Sequence, residues 1–146
     1  MAMTRGRLFV KLCALMIALG ATGTASAADR AGDCRAPLEP WTEIDLYFGR
    51  NISGDGTVTE AEFRRFLSEV VTPRFPNGLS VLDVAGQFRN SQGKIVREPS
   101  KLLVILVPDA NAAAKKVSQI VTSYKRRFRQ ESVLHAEHPV CLSFED

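Results

Sequence analysis

What this 146-residue chain has little of narrows its chemistry before any motif is found. It holds three cysteines, two histidines and one tryptophan. There is no CxxC pair, phosphate-binding glycine loop, dinucleotide fingerprint or nucleophile elbow. The sequence thus offers no local signature for redox dithiol, phosphate-loop, dinucleotide or nucleophile-elbow chemistry. No apolar run is long and clean enough for a stable membrane span, since the run beginning at Leu8 is interrupted by Lys11.

The N-terminus explains much of the apparent composition. "MAMTRGR" is basic, "LFVKLCALMIALGATG" is apolar, and Ala25-Ser26-Ala27 is a small-residue exit. That order predicts a secretory signal peptide over residues 1–27, hence a periplasmic or secreted protein with no membrane span after cleavage. Lys11 and Leu12 before Cys13 do not fit a lipoprotein signal. Removing Arg5, Arg7 and Lys11 leaves 16 basic against 16 acidic residues, so the net charge of +3 belongs to the precursor. A neutral mature domain has no global attraction to nucleic acid or anionic lipid. Cys34 and Cys141 remain near opposite ends of the mature chain, and in an oxidising compartment a disulfide between them is expected.

The mature chain reads as an extended lead-in over residues 28–40 and a single domain over 41–146. Trp41–Gly49 alternates, with Ile44, Leu46 and Phe48 on one side and Glu43, Asp45 and Tyr47 on the other, as in a half-buried strand. Thr59–Val71 changes to a helical period, placing Phe63, Phe66, Leu67, Val70 and Val71 on one stripe. Pro73 and Pro76 end it. Leu79–Arg89 and Lys94–Val107 read as strands joined by the turn Asn90–Gly93. Asp109 caps a helix over Ala110–Arg129, and Ser132–Phe144 reads as a final strand. The order predicts an α+β, ferredoxin-like split βαβ fold: one four-stranded antiparallel sheet with both helices on one face. The first strand should lie between the last and the third, which brings the two cysteines to one edge.

Two details extend this expectation. Leu102–Val107, "LLVILV", is apolar on both sides, whereas helices cover only one side of such a sheet. A second copy of the chain, pairing as a homodimer through the open face, would cover the other. Pro99 fits a central ladder badly, so Ala85–Glu98 is expected to project beyond the first strand as a hairpin arm.

"RNISGDGTVTEAEF", Arg50–Phe63, resembles a calcium loop, with oxygen donors at Asn51, Ser53, Asp55, Thr57, Thr59 and Glu62 and a glycine at Gly56. Only two of these carry carboxylates, and the preceding segment alternates like a strand. "TEAE" is also a helix-capping box. Calcium binding by the 51–62 loop is thus the third-ranked function, and a strand-to-helix connection is preferred. "KRRFR", Lys125–Arg129, is the densest positive patch and suits the last turn of a helix. On the open sheet face, Glu43, Asp45 and Tyr47 are expected to face His135 and Glu137 of the last strand.

"LYFGR" (46–50), "VTPRFPNGL" (71–79), "GQFR" (86–89), "VREPSK" (96–101) and "QESV" (130–133) occur in this order. Together they resemble the bacterial domain of unknown function family 3574, small exported proteins. The resemblance implies no activity, cofactor or catalytic residue. Placed on the expected topology, Tyr47, Arg50, Arg97, Glu98, Lys101, Gln130 and Glu131 fall near one rim of the sheet, opposite the cysteines, and are the ligand-binding candidates. An ion-pair network holding the arm would use the same residues. The favoured function is a non-catalytic binding or assembly module of the cell envelope. The alternative is a small enzyme or small-molecule-binding protein using that rim, with Tyr47 or Glu131 as acid or base; no catalytic residue, metal or cofactor is assigned.

Overall fold

The computed structural model describes residues 34–52, 56–90 and 92–145. The expected signal peptide, and residues 28–33 of the lead-in, lie outside the described residues. The elements are β1 (Glu39–Gly49), α1 (Glu60–Phe66) continuing into a π-helical turn (Leu67–Val71), β2 (Ser80–Arg89), β3 (Ile95–Val107), α2 (Ala110–Phe128) and β4 (Leu134–Leu142). The four strands form one antiparallel sheet in the order β2-β3-β1-β4. This is the ferredoxin-like arrangement expected from the element order.

Local chemistry accounts for the boundaries. Thr59 caps α1 by accepting from the Glu62 amide, and Glu62 reaches back to the Thr59 amide at 2.8 Å, closing the capping box. Asp109 caps α2 by accepting from the Ala112 amide at 3.1 Å. That helix ends where Arg129 turns left-handed and its amide bonds back to Lys125. β1 begins two residues earlier than its alternation suggests, because Glu39 and Pro40 still pair with Leu142 and Cys141. Cys34 and Cys141 form a disulfide with their Cα atoms 5.6 Å apart, tying the approach to β1 onto the end of β4.

The core lies between the sheet and the helices. Ile44, Leu46 and Phe48 of β1 face Leu103 and Ile105 of β3, and Val117, Ile120 and Tyr124 of α2 pack over them. Phe48 is the hub of an aromatic cluster. Its ring lies 4.6 Å from that of Tyr124 and 5.9 Å from those of Phe63 and Phe66, all edge-on. The hairpin arm is present as expected. β1 pairs with β3 only as far as Gly49 opposite Ser100, so Pro99 stands one residue beyond the ladder. Only β2 accompanies β3 from there to Ile95.

Candidate functional site

The rim at the end of β1 is built from an exit and three anchors. After Gly49 the chain leaves the sheet, and the Arg50 amide donates to the Pro99 carbonyl at 3.0 Å. Asn51 is then held from three directions. Its amide donates to Glu98 Oε2 at 3.3 Å, its side chain donates to the Arg97 carbonyl at 3.3 Å, and its carbonyl accepts from Gln130 Nε2 at 2.7 Å. Beneath it, the Tyr124 hydroxyl donates to the Gly49 carbonyl at 2.9 Å. A Cβ at Gly49 would sit 2.7 Å from both Glu98 carboxylate oxygens, so a larger residue there would make the Glu98 side chain swing aside.

Beside this lies a buried cation. Lys101 is 4 % exposed, and its ammonium pairs with Asp83 at 2.7 Å and Glu60 at 2.8 Å. Arg50 reaches the same Glu60 at 3.6 Å while its Nε donates to the Val58 carbonyl at 2.7 Å. Lys101 thus ties β2 and the start of α1 to β3. The hydrogen bonds from Lys101 to Asp83, then to Glu60, push its ammonium pKa above the usual lysine value of 10.5. Burial pushes the Tyr124 phenol above its usual 10.0, well beyond the ordinary tyrosine range. Groups whose pKa is raised by folding hold their stabilisation below the unfolded-state value and lose it as pH climbs. Stability is therefore expected to be flat on this account up to about pH 10 and to decline above it. Tyr124→Phe should cost about 1 kcal/mol at neutral pH, through the lost hydrogen bond, and make the alkaline decline shallower. Urea midpoints measured from neutral pH upward check this, and an equally steep decline in the variant would refute it.

Four of the seven candidates, Arg50, Glu98, Lys101 and Gln130, come together around Asn51 and Glu60. The side chains of the other three do not join them. Tyr47 projects from the opposite side of the sheet, since it pairs with Leu102 while Lys101 pairs with Phe48. Arg97 stands on the arm and donates to Gln87 at 2.9 Å. Glu131 is exposed beyond α2. Sequence reasoning passed over Asn51 as a hub, and over Glu60, Asp83 and Tyr124. Only the pairing register puts Asp83 opposite Lys101. Along the arm, Asp83, Gln87, Arg97, Glu98 and Ser100 border an open groove of about 630 Å³. Ser100 is buried there, close enough to Gly86 that a Cβ would meet its hydroxyl at 2.9 Å.

The side of the sheet away from the helices has a different character. Leu82 and Leu106 are partly exposed, Leu134 is 62 % exposed, and Leu102 and Val104 are half-buried between them. Among these apolar neighbours sits Asp45, 8 % exposed, with Oδ1 lacking any hydrogen-bond partner. The expected pairing on this face requires correction. His135 and Glu137 are the partners of Leu46 and Ile44 and so belong to the helix side, where they pair with each other at 3.0 Å. A shift of one residue reverses a strand's faces, and the observed register presents His138 instead. Its Nε2 lies 3.9 Å from Asp45 Oδ2.

Among the described residues no cluster of three or more His, Cys, Asp or Glu side chains is placed to hold a metal. Glu62, the twelfth residue of the calcium-like loop, is committed to the helix cap, and its hydrogen bonds with Thr59 hold its pKa below the usual glutamate value. Arg127 in the basic helix end pairs with Glu69 at 2.7 Å. No described helix is long and apolar enough to cross a membrane.

Residues 43–144 match the family model described as "protein of unknown function (DUF3574)". The chain belongs to this family. A comparison with the curated proteins finds no significant match. Among solved structures, the chain is similar to a phage SAM lyase in complex with S-methyl-5'-thioadenosine, at 16 % identity and TM-score 0.56 over 71 % of this chain and 90 % of the lyase. The lyase in its apo state matches at 17 % identity and TM-score 0.52, over 90 % and 98 %. A PII-like protein from Thiomonas intermedia K12 aligns at 13 % identity and TM-score 0.44, over 75 % and 99 %. The two lyase matches show a shared fold and no more. Within this DUF3574 chain, the stretches 46–50, 96–101 and 130–133 supply Gly49, Arg50, Glu98, Lys101 and Gln130, so the rim is where three of the family-like stretches meet.

Proposed function

We propose that this DUF3574 protein is an exported, non-catalytic binding or assembly module of the cell envelope, and that its working surface is the open side of the sheet. The contrast between its two sides carries this reading. At the rim the polar groups satisfy one another: Lys101 with Asp83 and Glu60, Arg50 with Glu60 and the Val58 carbonyl, Glu98 with the Asn51 amide. On the open side Leu82, Leu106 and Leu134 stay exposed around a buried carboxylate oxygen without a donor. Exposed contiguous apolar side chains favour a protein surface as the ligand. The paired Cys34 and Cys141 support an oxidising compartment.

Native mass spectrometry of protein recovered from a periplasmic extract tests this. The expected species begins after Ala27 and carries associated protein mass, which Leu106→Glu with Leu134→Glu should remove. A monomer whose mass profile those substitutions leave unchanged would refute the reading. The groove beside Ser100 and Arg97 favours a second reading, a small-molecule site on the arm. Retained mass of a few hundred daltons, lost on Arg97→Ala, would support that instead.

A further inference from the structure

The strands sort their charges by side. Successive residues of a strand point to opposite sides, and residues opposed across an antiparallel ladder share one. Arg89 and Arg97 therefore project to the helix side of the arm, as Lys101 does in the sheet. The four strands carry no other arginine or lysine. The open side takes Glu39, Glu43 and Asp45 of β1 and Glu98 of β3. None of these four pairs with a lysine or arginine among the described residues, and only Asp45 meets a histidine, His138. Between the carboxylates the surface is apolar, with Leu102, Val104 and Leu106 along β3 flanked by Leu82 and Leu134. Asp45 sits in the middle of it, nine-tenths buried, with Oδ1 lacking a donor. That costs free energy until a donor reaches it. Tyr47 stands next to Asp45 along the same side of β1.

We propose that the open side receives a cationic, amphipathic helix of another protein. Its leucines pack on Leu102, Leu106 and Leu134, an arginine donates to Asp45 Oδ1, and further cations meet Glu43 and Glu98. This rests on the reading of the open side as the working surface, and it names the partner's chemistry. Charge decides the class. A second copy turned face to face, an anionic lipid surface or a nucleic acid would each bring negative charge onto negative charge. An uncharged apolar ligand would leave Asp45 Oδ1 without a donor. A guanidinium supplies that donor in a planar fork suited to a carboxylate, and Tyr47 offers it an aromatic neighbour. Reach is adequate for one element. From Leu106, the cross-strand partner of Glu43, to Glu98 the strand β3 spans about 27 Å at the usual rise per residue. A helix of about 18 residues is equally long. Helices already cover the other side of this sheet, so a helix here completes a layer.

Fluorescence anisotropy with the mature, disulfide-bonded chain tests this. The probe is a labelled helical peptide of about 18 residues, with leucines along one stripe and arginines beside it. Binding with a Kd on the order of 10 µM is expected, weakening as salt rises. Asp45→Asn should weaken it about tenfold, and Glu43→Gln and Glu98→Gln about threefold each. Glu43→Gln and Glu98→Gln are read independently should Asp45→Asn disturb the fold. Glu137→Gln, on the helix side of β4, should leave binding unchanged. Peptides with glutamate in place of arginine, or serine in place of leucine, should not bind. No binding of the arginine peptide, equal binding of either altered peptide, or binding unmoved by all three open-side substitutions overturns the proposal. A chain that ignores the peptide yet retains protein mass, its own copy included, released by Leu106→Glu with Leu134→Glu overturns it while leaving the binding-module reading standing. If the peptide is ignored and those two substitutions also change nothing, both fall together.

Discussion

Reducing the Cys34–Cys141 bond is expected to lower the unfolding free energy by about 4–5 kcal/mol, the chain-entropy value for a closed loop of 107 residues. For a domain of this size the whole stability is commonly about 5–15 kcal/mol. The bond is therefore expected to carry about a third or more of the whole. Its position adds a structural reason. β4 is an edge strand paired only with β1, and the disulfide joins its last residues to the approach to β1. Without it, β4 should be the first element to open, because one ladder and few buried side chains hold it. Urea denaturation with and without reductant, or of Cys34→Ser with Cys141→Ser, gives the number. Amide exchange should show faster opening in Leu134–Leu142 than in β3. Coincident midpoints for the oxidised and reduced chains would refute the expectation.

Phe48→Ala should be nearly as severe, costing about 3–5 kcal/mol. Phe48 is fully buried, and its ring meets those of Phe63, Phe66 and Tyr124. Cutting it back leaves a cavity that three rigid rings cannot collapse into, and it removes the edge-to-face contacts as well. Phe48→Leu, which keeps much of the volume, should cost markedly less. The two variants compared by urea denaturation in the oxidised state check the ranking. A loss below about 1 kcal/mol for Phe48→Ala would mean that the cluster is not the centre of the core. Loss of the disulfide acts mainly on the unfolded chain and loss of Phe48 on the folded one. Their effects should add in the combined variant, leaving little net stability.

Much of the fold was legible in the sequence because it depends on local period and punctuation. The alternation of Ile44, Leu46 and Phe48 marked β1, and the Phe63–Phe66 spacing marked the first helix. Thr59 with Glu62 marked that helix's start, and Pro99 marked where the sheet ends and the arm begins. The site was legible only in part, for a reason that individual residues make plain. Arg50, Glu98, Lys101 and Gln130 were recognisable as a group because each lies near an element end whose place in the topology is known. Tyr47 belonged to that group only if side-chain direction was ignored, since it neighbours Phe48 along the chain yet points to the other side. His135 and His138 differ by three positions, so they occupy opposite faces. Which one meets Asp45 depended on a pairing register that no local pattern announces. Asp83 and Glu60, the partners of Lys101, are ordinary acidic residues until β2 and α1 are brought beside β3.

The amino-acid pattern alone determined the strand and helix order, the single core, the capping of both helices and the pairing of Cys34 with Cys141. Each of these follows from side chains within a few residues of one another or from topology that leaves no other choice. Tertiary structure decided that Lys101 is a buried cross-link, that Asn51 is the hub of the rim, and that Asp45 stands half-satisfied on an apolar face. Those outcomes depend on which residues distant in the chain become neighbours, and on the side to which each points, and both are fixed by the hydrogen-bond register between strands.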